Sequence, residues 1–398
     1  QISWAFRNVS RGYYLGATAD GMIQCSAKMP QSRAELWHVH LIPARGATMF
    51  ALKSIGRKRY ARALPSSSGE SEQIQVDATN AWGSETLFQF KYYDGGKYAL
   101  LTSSSKYLTC DGSCIDWKVN DKNSSLPPTE CLFTIEYHGG NIAFRDNSGR
   151  YLAVAGRASL LRTRSTSVAK DELFEFEVAP IQMALRATFN NKWVSIKQGV
   201  DLSANQNEAT QHETFQFEFD NESNCWFVST YEGNYWSLGG ASTIQASNKD
   251  IKSRAYFKIK WNNEDGSCSL LVSDSPTEET NMKWICARKS GQLYTGQSDA
   301  VKFYVKFLNR TSINLRGSSA SGFVGLKVPG AGKLESNKTT PDSIRIEYAN
   351  SDNMDDIDST FNCCYLKMVA NNKYLSIIDG NSVACDASFT RLCPTVST

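Results

Sequence analysis

The chain has 398 residues, of which 41% are hydrophobic, 21% charged and 11% aromatic, which is the composition of a globular protein with several cores. Its formal net charge of +3 is too small to indicate a nucleic-acid partner, so any electrostatic function must come from local patches. The sequence has no apolar run of about 18 residues, so no membrane insertion is predicted.

A short aromatic motif recurs along the chain and marks a repeat. Each copy places an aromatic anchor directly before an apolar residue, as in the stretch GRYL around Tyr151. Self-similarity at a fixed period indicates a chain built from repeated structural units. Neighbouring anchors are 39 to 51 residues apart, and in chain order they are Tyr14, Tyr60, Tyr107, Tyr151, Trp193, Tyr235, Trp284, Phe323 and Tyr374.

Each unit predicts a β-hairpin and a later strand. An aliphatic residue recurs eight positions after the apolar residue that follows the anchor, as from Val194 to Leu202, and turn-forming residues lie between them. An alternating run such as Phe215-Gln216-Phe217 follows, and period-two alternation is typical of a strand with one buried face. We therefore predict an all-β chain of nine units, each with four short strands in about 45 residues.

Two architectures use four-stranded units of this length. One is the blade of a β-propeller, and the other is the lobe of a β-trefoil, three of which close a small barrel capped by hairpins. The chain lacks the Gly-His and Trp-Asp or double-Gly signatures of propeller repeats, which favours trefoils. The residues alone leave both architectures open, because the units have diverged too far to show a period of three.

Several longer stretches resemble the fascin family, in family order and across essentially the whole chain. They are SIGRKRYA at 54–61, AFRD at 143–146, GRYLA at 149–153, KDELF at 170–174, KQGVDLSANQ at 197–206, ETFQ at 213–216, KSGQL at 289–293, LNR at 308–310 and GFVG at 322–325. Fascins are strings of four β-trefoils, so the resemblance implies tandem trefoils and favours them over a propeller.

The resemblance also implies domain boundaries. Residues 1–44 would form the last third of trefoil one, 45–179 trefoil two, 180–309 trefoil three, and 310–398 an incomplete trefoil four. We expect a sequence that is incomplete at both ends, and a naturally truncated paralogue is the alternative.

Fascins crosslink actin filaments into tight parallel bundles, so the resemblance implies this activity, in the cytoplasm and in bundled protrusions such as filopodia. A filament is an acidic polymer, and clustered cations recruit an acidic partner even though one exposed charge contributes little. We expect a monomeric crosslinker with basic patches on separate trefoils. The candidate actin-binding residues are Lys53, Arg57, Lys58, Arg59, Arg162, Arg164, Lys170, Arg288, Lys289, Arg316 and Lys327.

No enzyme is predicted. The four histidines lie in no metalloprotease spacing, and no Gly-x-Ser-x-Gly elbow is present. The acidic run at 355–358 is interpreted as a solvated loop, so we expect no catalytic residue, metal or cofactor. The eleven cysteines lack paired short spacings and indicate free thiols in a reducing compartment.

The sequence leaves two other functions open. A lectin-like trefoil that binds glycans is the main alternative, although the repeated Gln-x-Trp motif of such lectins is absent from the anchors. The other is a specialised paralogue that binds only one filament or a packed bundle in a particular organelle.

Overall fold

A computed structural model describes residues 5–8, 11–30, 32–41, 49–65, 72–117, 126–262, 267–310, 312–317, 322–328, 332–348, 363–378, 382–387 and 396–397. These residues form β-strands and single-turn 3-10 helices, and no α-helix occurs among them. The strands assemble into three sheets of twelve, each made of three four-stranded units. This confirms the prediction of an all-β chain of tandem β-trefoils.

The strands are as follows in chain order. The first four are β1 (Arg7–Asn8), β2 (Tyr14–Ala17), β3 (Ile23–Ala27) and β4 (Trp37–Leu41). The next twelve are β5 (Phe50–Ser54), β6 (Arg59–Pro65), β7 (Glu72–Ala78), β8 (Leu87–Tyr93), β9 (Lys97–Thr102), β10 (Tyr107–Leu108), β11 (Ser113–Ile115), β12 (Thr134–His138), β13 (Asn141–Arg145), β14 (Tyr151–Ala155), β15 (Leu160–Ser165) and β16 (Phe174–Val178).

The second half of the chain continues the same alternation of short strands. It contains β17 (Ile181–Ala187), β18 (Trp193–Ser195), β19 (Ser203–Gln206), β20 (Thr214–Asp220), β21 (Cys225–Thr230), β22 (Tyr235–Leu238), β23 (Ile244–Asn248), β24 (Tyr256–Trp261), β25 (Cys268–Ser273), β26 (Lys283–Ala287), β27 (Leu293–Gly296) and β28 (Phe303–Phe307). The last eight strands are β29 (Ser312–Gly317), β30 (Phe323–Leu326), β31 (Leu334–Lys338), β32 (Ile344–Tyr348), β33 (Cys363–Met368), β34 (Lys373–Ile378), β35 (Ser382–Ala387) and β36 (Val396–Ser397).

Strands β5 to β16 form the second trefoil. β5, β8, β9, β12, β13 and β16 pair into a barrel, and the hairpins β6–β7, β10–β11 and β14–β15 cap it. The alternating runs supply the core, because Phe88, Phe133 and Phe174 are at most 1% exposed. This trefoil coincides with the compact unit Gly46–Ala179.

Strands β17 to β28 form the third trefoil in the same way, and Phe215, Phe257 and Phe303 are its fully buried counterparts. The chain's other compact unit contains this trefoil together with residues 1–45 and everything after 309.

The remaining twelve strands form a single sheet that we call the composite trefoil. β1 to β4 supply one lobe, and β29 to β36 supply the other two. The lobes join through five register pairs between β4 and β29, from Leu41 with Ile313 to Trp37 with Gly317, and through β1 with β36. Trp37 is fully buried in the shared core and donates a 3.0 Å hydrogen bond to the Leu15 carbonyl.

The sequence-based assignment placed residues 1–44 in trefoil one and 310–398 in an incomplete trefoil four. Two lobes of a trefoil leave unpaired strand edges, and a third lobe removes those edges by closing the barrel. The assignment of each segment within the family's four trefoils stays a prediction.

A β-bulge follows the anchor in most hairpins. The register shifts within two residues after the anchor at Tyr14, Tyr60, Tyr151, Trp193, Tyr235, Phe323 and Tyr374. A bulge re-aims the side chains around it. The residue after the anchor, such as Leu152 or Val194, is completely buried, whereas the anchors Tyr151 and Trp193 keep 8% and 9% of their surface exposed.

Candidate functional site

The turn between β5 and β6 presents three consecutive cations. The side chains of Arg57, Lys58 and Arg59 are all exposed. The Lys58 amide donates to the Ser54 carbonyl at 2.9 Å, and the Arg57 amide donates to the Ser54 hydroxyl at 3.3 Å. These bonds use only backbone atoms of the cations, so the charged groups of Arg57 and Lys58 project into solvent.

Lys170 lies beside this turn. A Cβ atom on Gly56 would collide with a carboxylate oxygen of Asp171 and would lie 3.0 Å from the Lys170 carbonyl, so glycine permits the close approach. The segment Lys170–Glu172 is a single 3-10 turn, fixed because the Glu172 carboxylate accepts a 2.9 Å hydrogen bond from the Ala169 amide. The structure thus brings Lys170 next to the predicted Arg57–Arg59 cluster.

Lys53 differs from its neighbours because its charge is already paired. Its Nζ lies 2.7 Å from Oε1 of Glu177 and 5.3 Å from the centre of the Tyr60 ring. The Tyr60 hydroxyl donates to the other oxygen of Glu177 at 2.6 Å. The hydrogen bond that the Lys53 ammonium donates to the Glu177 carboxylate raises the pKa of Lys53, so the ammonium stays protonated. This contact stabilises the trefoil and leaves Lys53 less available to a partner than Arg57 or Lys58.

The arrangement of tyrosine, glutamate and cation seen at Tyr60 recurs at two other anchors, and the sequence analysis did not predict it. In each case the anchor hydroxyl donates to a glutamate that also faces a cation. The sets are Tyr151 with Glu136 (2.8 Å) and Arg145, and Tyr374 with Glu347 (2.6 Å) and Lys367. A signal exists in the sequence, because each glutamate follows an aliphatic or aromatic residue within an alternating strand run.

Arg162 and Arg164 lie two residues apart on β15, so they share its exposed face. Arg162 adjoins the turn after β10, because a Cβ on Gly112 would approach its Cβ to 3.4 Å. The Thr163 amide between the two arginines donates to the Cys110 carbonyl at 2.8 Å and holds the strand in place. Residues 166–169 connect this strand directly to Lys170.

The other candidates lie in the second compact unit, on two different trefoils. Arg288 and Lys289 are exposed in the β26–β27 turn of the third trefoil, and the Arg288 guanidinium lies 5.7 Å from the Tyr294 ring. Arg316 and Lys327 are exposed on the composite trefoil. The structure therefore distributes the eleven predicted residues over three trefoils and places seven of them on the second trefoil.

Several other features bear on chemistry. In the described ranges, no group of three or more His, Cys, Asp or Glu residues is arranged to hold a metal ion. Eight described cysteines are free thiols, and burial raises the pKa of Cys268 to about 12, which disfavours the reactive thiolate. The acidic run at 355–358 lies outside the described residues. In the part of the chain that the structure describes, no helix is long and apolar enough to span a bilayer.

The fold and the distribution of cations define the class of protein: a scaffold of tandem β-trefoils with exposed basic turns. A family model described as "Fascin domain" matches residues 51–176 and 189–302. The chain is 32% identical over 353 residues to Fascin-2 of Bos taurus, covering 87% of this chain and 65% of that protein. Fascin-2 of Mus musculus is 31% identical over 352 residues, with 87% and 64% covered.

A more distant relative, Fascin of Strongylocentrotus purpuratus, is 25% identical over 355 residues, covering 87% of this chain and 66% of that protein. The chain belongs to the fascin family, as the resemblance in its sequence indicated. It spans about 65% of the length of the curated relatives it matches.

Proposed function

We propose that this protein binds actin filaments and crosslinks them into tight parallel bundles, acting as a monomer without catalytic activity. The observation that carries the proposal is that exposed cations of a fascin-family chain lie on three separate trefoils. Crosslinking requires at least two filament-binding faces on one molecule, and separate trefoils can supply them. The eleven candidate residues remain the proposed contacts.

The cluster around Arg57 supports the electrostatic part of the proposal. Arg57, Lys58, Arg59 and Lys170 place four positive charges on adjoining segments of the second trefoil. Several like charges raise the local potential and attract a polyanion, and salt screens such exposed interactions. We expect filament affinity to fall steeply as ionic strength rises.

The proposed location is the cytoplasm, in bundled protrusions such as filopodia. Free cysteines throughout the described residues are consistent with a reducing compartment.

Sedimentation with purified actin filaments tests the proposal. We expect the protein to pellet with filaments at high speed, and filaments to pellet with it at low speed because bundles are heavier than single filaments. Both effects should weaken between about 50 and 300 mM salt as the Debye length shortens. Absence of the protein from the high-speed pellet would refute filament binding.

Two outcomes separate the alternatives. Binding at high speed without low-speed pelleting would favour a paralogue that binds one filament. Specific signals on a glycan array, in a protein that ignores filaments, would favour the lectin-like function.

A further inference from the structure

A stretch of the second trefoil carries the pattern that basophilic protein kinases recognise. Residues 162–167 read RTRSTS, so Ser167 has Arg164 three positions before it and Arg162 five positions before it. Kinases of this class bind such arginines in acidic pockets beside the catalytic cleft, by charge complementarity. The candidate functional residues Arg162 and Arg164 thus belong to a kinase-recognition pattern.

The structure makes the whole pattern accessible in the folded protein. Arg162 and Arg164 are exposed on the same face of β15. Strand β15 ends at Ser165, and Ser167 is exposed in the irregular segment 166–169. A kinase cleft takes an acceptor in irregular, extended chain, and short exposed loops of this kind deform at low cost.

The three neighbouring hydroxyls are not equivalent. The Ser165 hydroxyl is half-buried and donates to the Ser167 carbonyl at 2.8 Å, and it accepts from the Ser167 amide at 3.1 Å. Thr166 has Thr163 and Leu161 at the positions where arginine is needed. Only Ser167 combines both arginines with an exposed side chain outside the strand.

We propose that Ser167 is a phosphorylation site for a basophilic serine/threonine kinase, and that its phosphate weakens the basic surface of the second trefoil. The Ser167 oxygen attacks the γ-phosphorus of ATP, the bond to the β-phosphate oxygen breaks, ADP leaves, and a kinase base takes the hydroxyl proton. The second half of the proposal deepens the proposed function and rests on it.

The electrostatic consequence follows from position. A phosphoserine carries about −1.5 to −2 charges at pH 7 and accepts strong hydrogen bonds from arginine and lysine. Arg164 and Lys170 each lie three residues from Ser167, and Lys170 adjoins the Arg57 turn. The phosphate therefore neutralises cations at the centre of the candidate surface and repels an acidic filament.

The test begins with phosphorylation of the folded full chain. It is incubated with ATP and a purified kinase that requires arginine at the third and fifth positions before the acceptor, and phosphopeptides are identified by mass spectrometry. We expect phosphate at Ser167, no incorporation there in Ser167→Ala, and at least tenfold slower incorporation in Arg164→Ala. Ser165→Ala is the matched control and should be phosphorylated normally. No incorporation, or incorporation mainly at Ser165 or Thr166, would overturn the proposal.

The functional half uses two readouts. We expect phosphorylated protein and Ser167→Glu to elute from heparin at lower salt than the unmodified chain, and to bind actin filaments about tenfold more weakly. Ser275→Glu introduces the same charge at an exposed loop of the third trefoil and should change both readouts much less. Unchanged heparin elution after stoichiometric phosphorylation would refute the effect on the surface.

The two proposals fail in different ways. If the unmodified chain ignores filaments while Ser167 is phosphorylated and heparin elution shifts, then the proposed function fails and the modification site stands. If filaments bind equally well to modified and unmodified protein, actin binding stands and its regulation by Ser167 is refuted.

Discussion

Reversal of two charges in the β5–β6 turn tests whether this turn contacts a filament. Arg57→Glu combined with Lys58→Glu changes the local charge by four units. An exposed ion pair contributes about 0.2–1 kcal/mol, so about 0.5 kcal/mol for each unit gives about 2 kcal/mol. That free energy corresponds to about a 30-fold weaker dissociation constant for filaments.

The structure predicts that this change leaves the fold intact. In the described residues, neither the Arg57 nor the Lys58 side chain makes an ion pair or hydrogen bond, so no internal partner is lost. Lys58 has a φ of 53°, a left-handed conformation that glutamate bears with the same strain as lysine. Surface changes of this kind usually alter stability by no more than about 0.5 kcal/mol.

Quantitative high-speed sedimentation at low salt measures the filament affinity, and thermal unfolding of the same preparation measures stability. Lys249→Glu combined with Lys252→Glu is a matched control, because both lysines are exposed on the third trefoil and lie outside the candidate set. Equal losses of affinity in both double variants would mean that only net charge matters. Unchanged affinity in the Arg57 and Lys58 variant would remove this turn from the proposed site.

The remaining predictions concern the scaffold. Tyr60→Phe removes a hydrogen bond to a partly exposed carboxylate and should lower the free energy of unfolding by about 1 kcal/mol, whereas Tyr137→Phe, at a residue 81% exposed, should leave it unchanged in denaturant titrations. Trp236→Ala empties a fully buried site packed against neighbouring aromatic rings and should cost about 3–5 kcal/mol in the same assay, and a loss below 1 kcal/mol would contradict the assigned core. The Tyr151 hydroxyl donates a hydrogen bond to Glu136 and holds the pKa of this carboxyl below its usual range. Ionised Glu136 therefore stabilises the fold at pH values above the ordinary pKa of glutamate, and this contribution is lost as the pH falls through the lower pKa of the folded state. Unfolding free energies of Glu136→Gln and the unaltered chain should therefore converge as the pH is lowered from 7 to about 3, and a difference that stays constant would refute the linkage.

Local patterns allowed the repeat and the barrel cores to be predicted. The aromatic anchor, the aliphatic residue eight positions beyond its successor and the alternating run all lie within one unit, where strand periodicity determines which side chains share a face. The alternating pattern alone therefore predicts that Phe88, Phe215 and Phe257 are buried, and each is 0% exposed. The bulge that follows most anchors was not predicted, because a register shift depends on the pairing of two strands.

The basic turn was also recognisable, because three consecutive cations before an anchor are a contiguous signal. The sequence does not show which cations in and beside this turn form ion pairs. Lys53 and Arg57 look alike in the sequence, yet Lys53 is neutralised by Glu177, which lies 124 residues further along the chain. Only the pairing of β5 with β16 brings the two side chains together.

The sequence by itself determined that this protein is an all-β repeat protein of the fascin family with clustered surface cations, since strand periodicity, turn residues and charge runs are local properties. The tertiary structure decided which lobes close a barrel together and which cations stay free. Both depend on contacts between residues far apart in the chain, as in the five register pairs of β4 with β29 and the approach of Asp171 to Gly56. Such contacts are selected by the closure of whole sheets and by side-chain packing, which no single unit of the repeat contains.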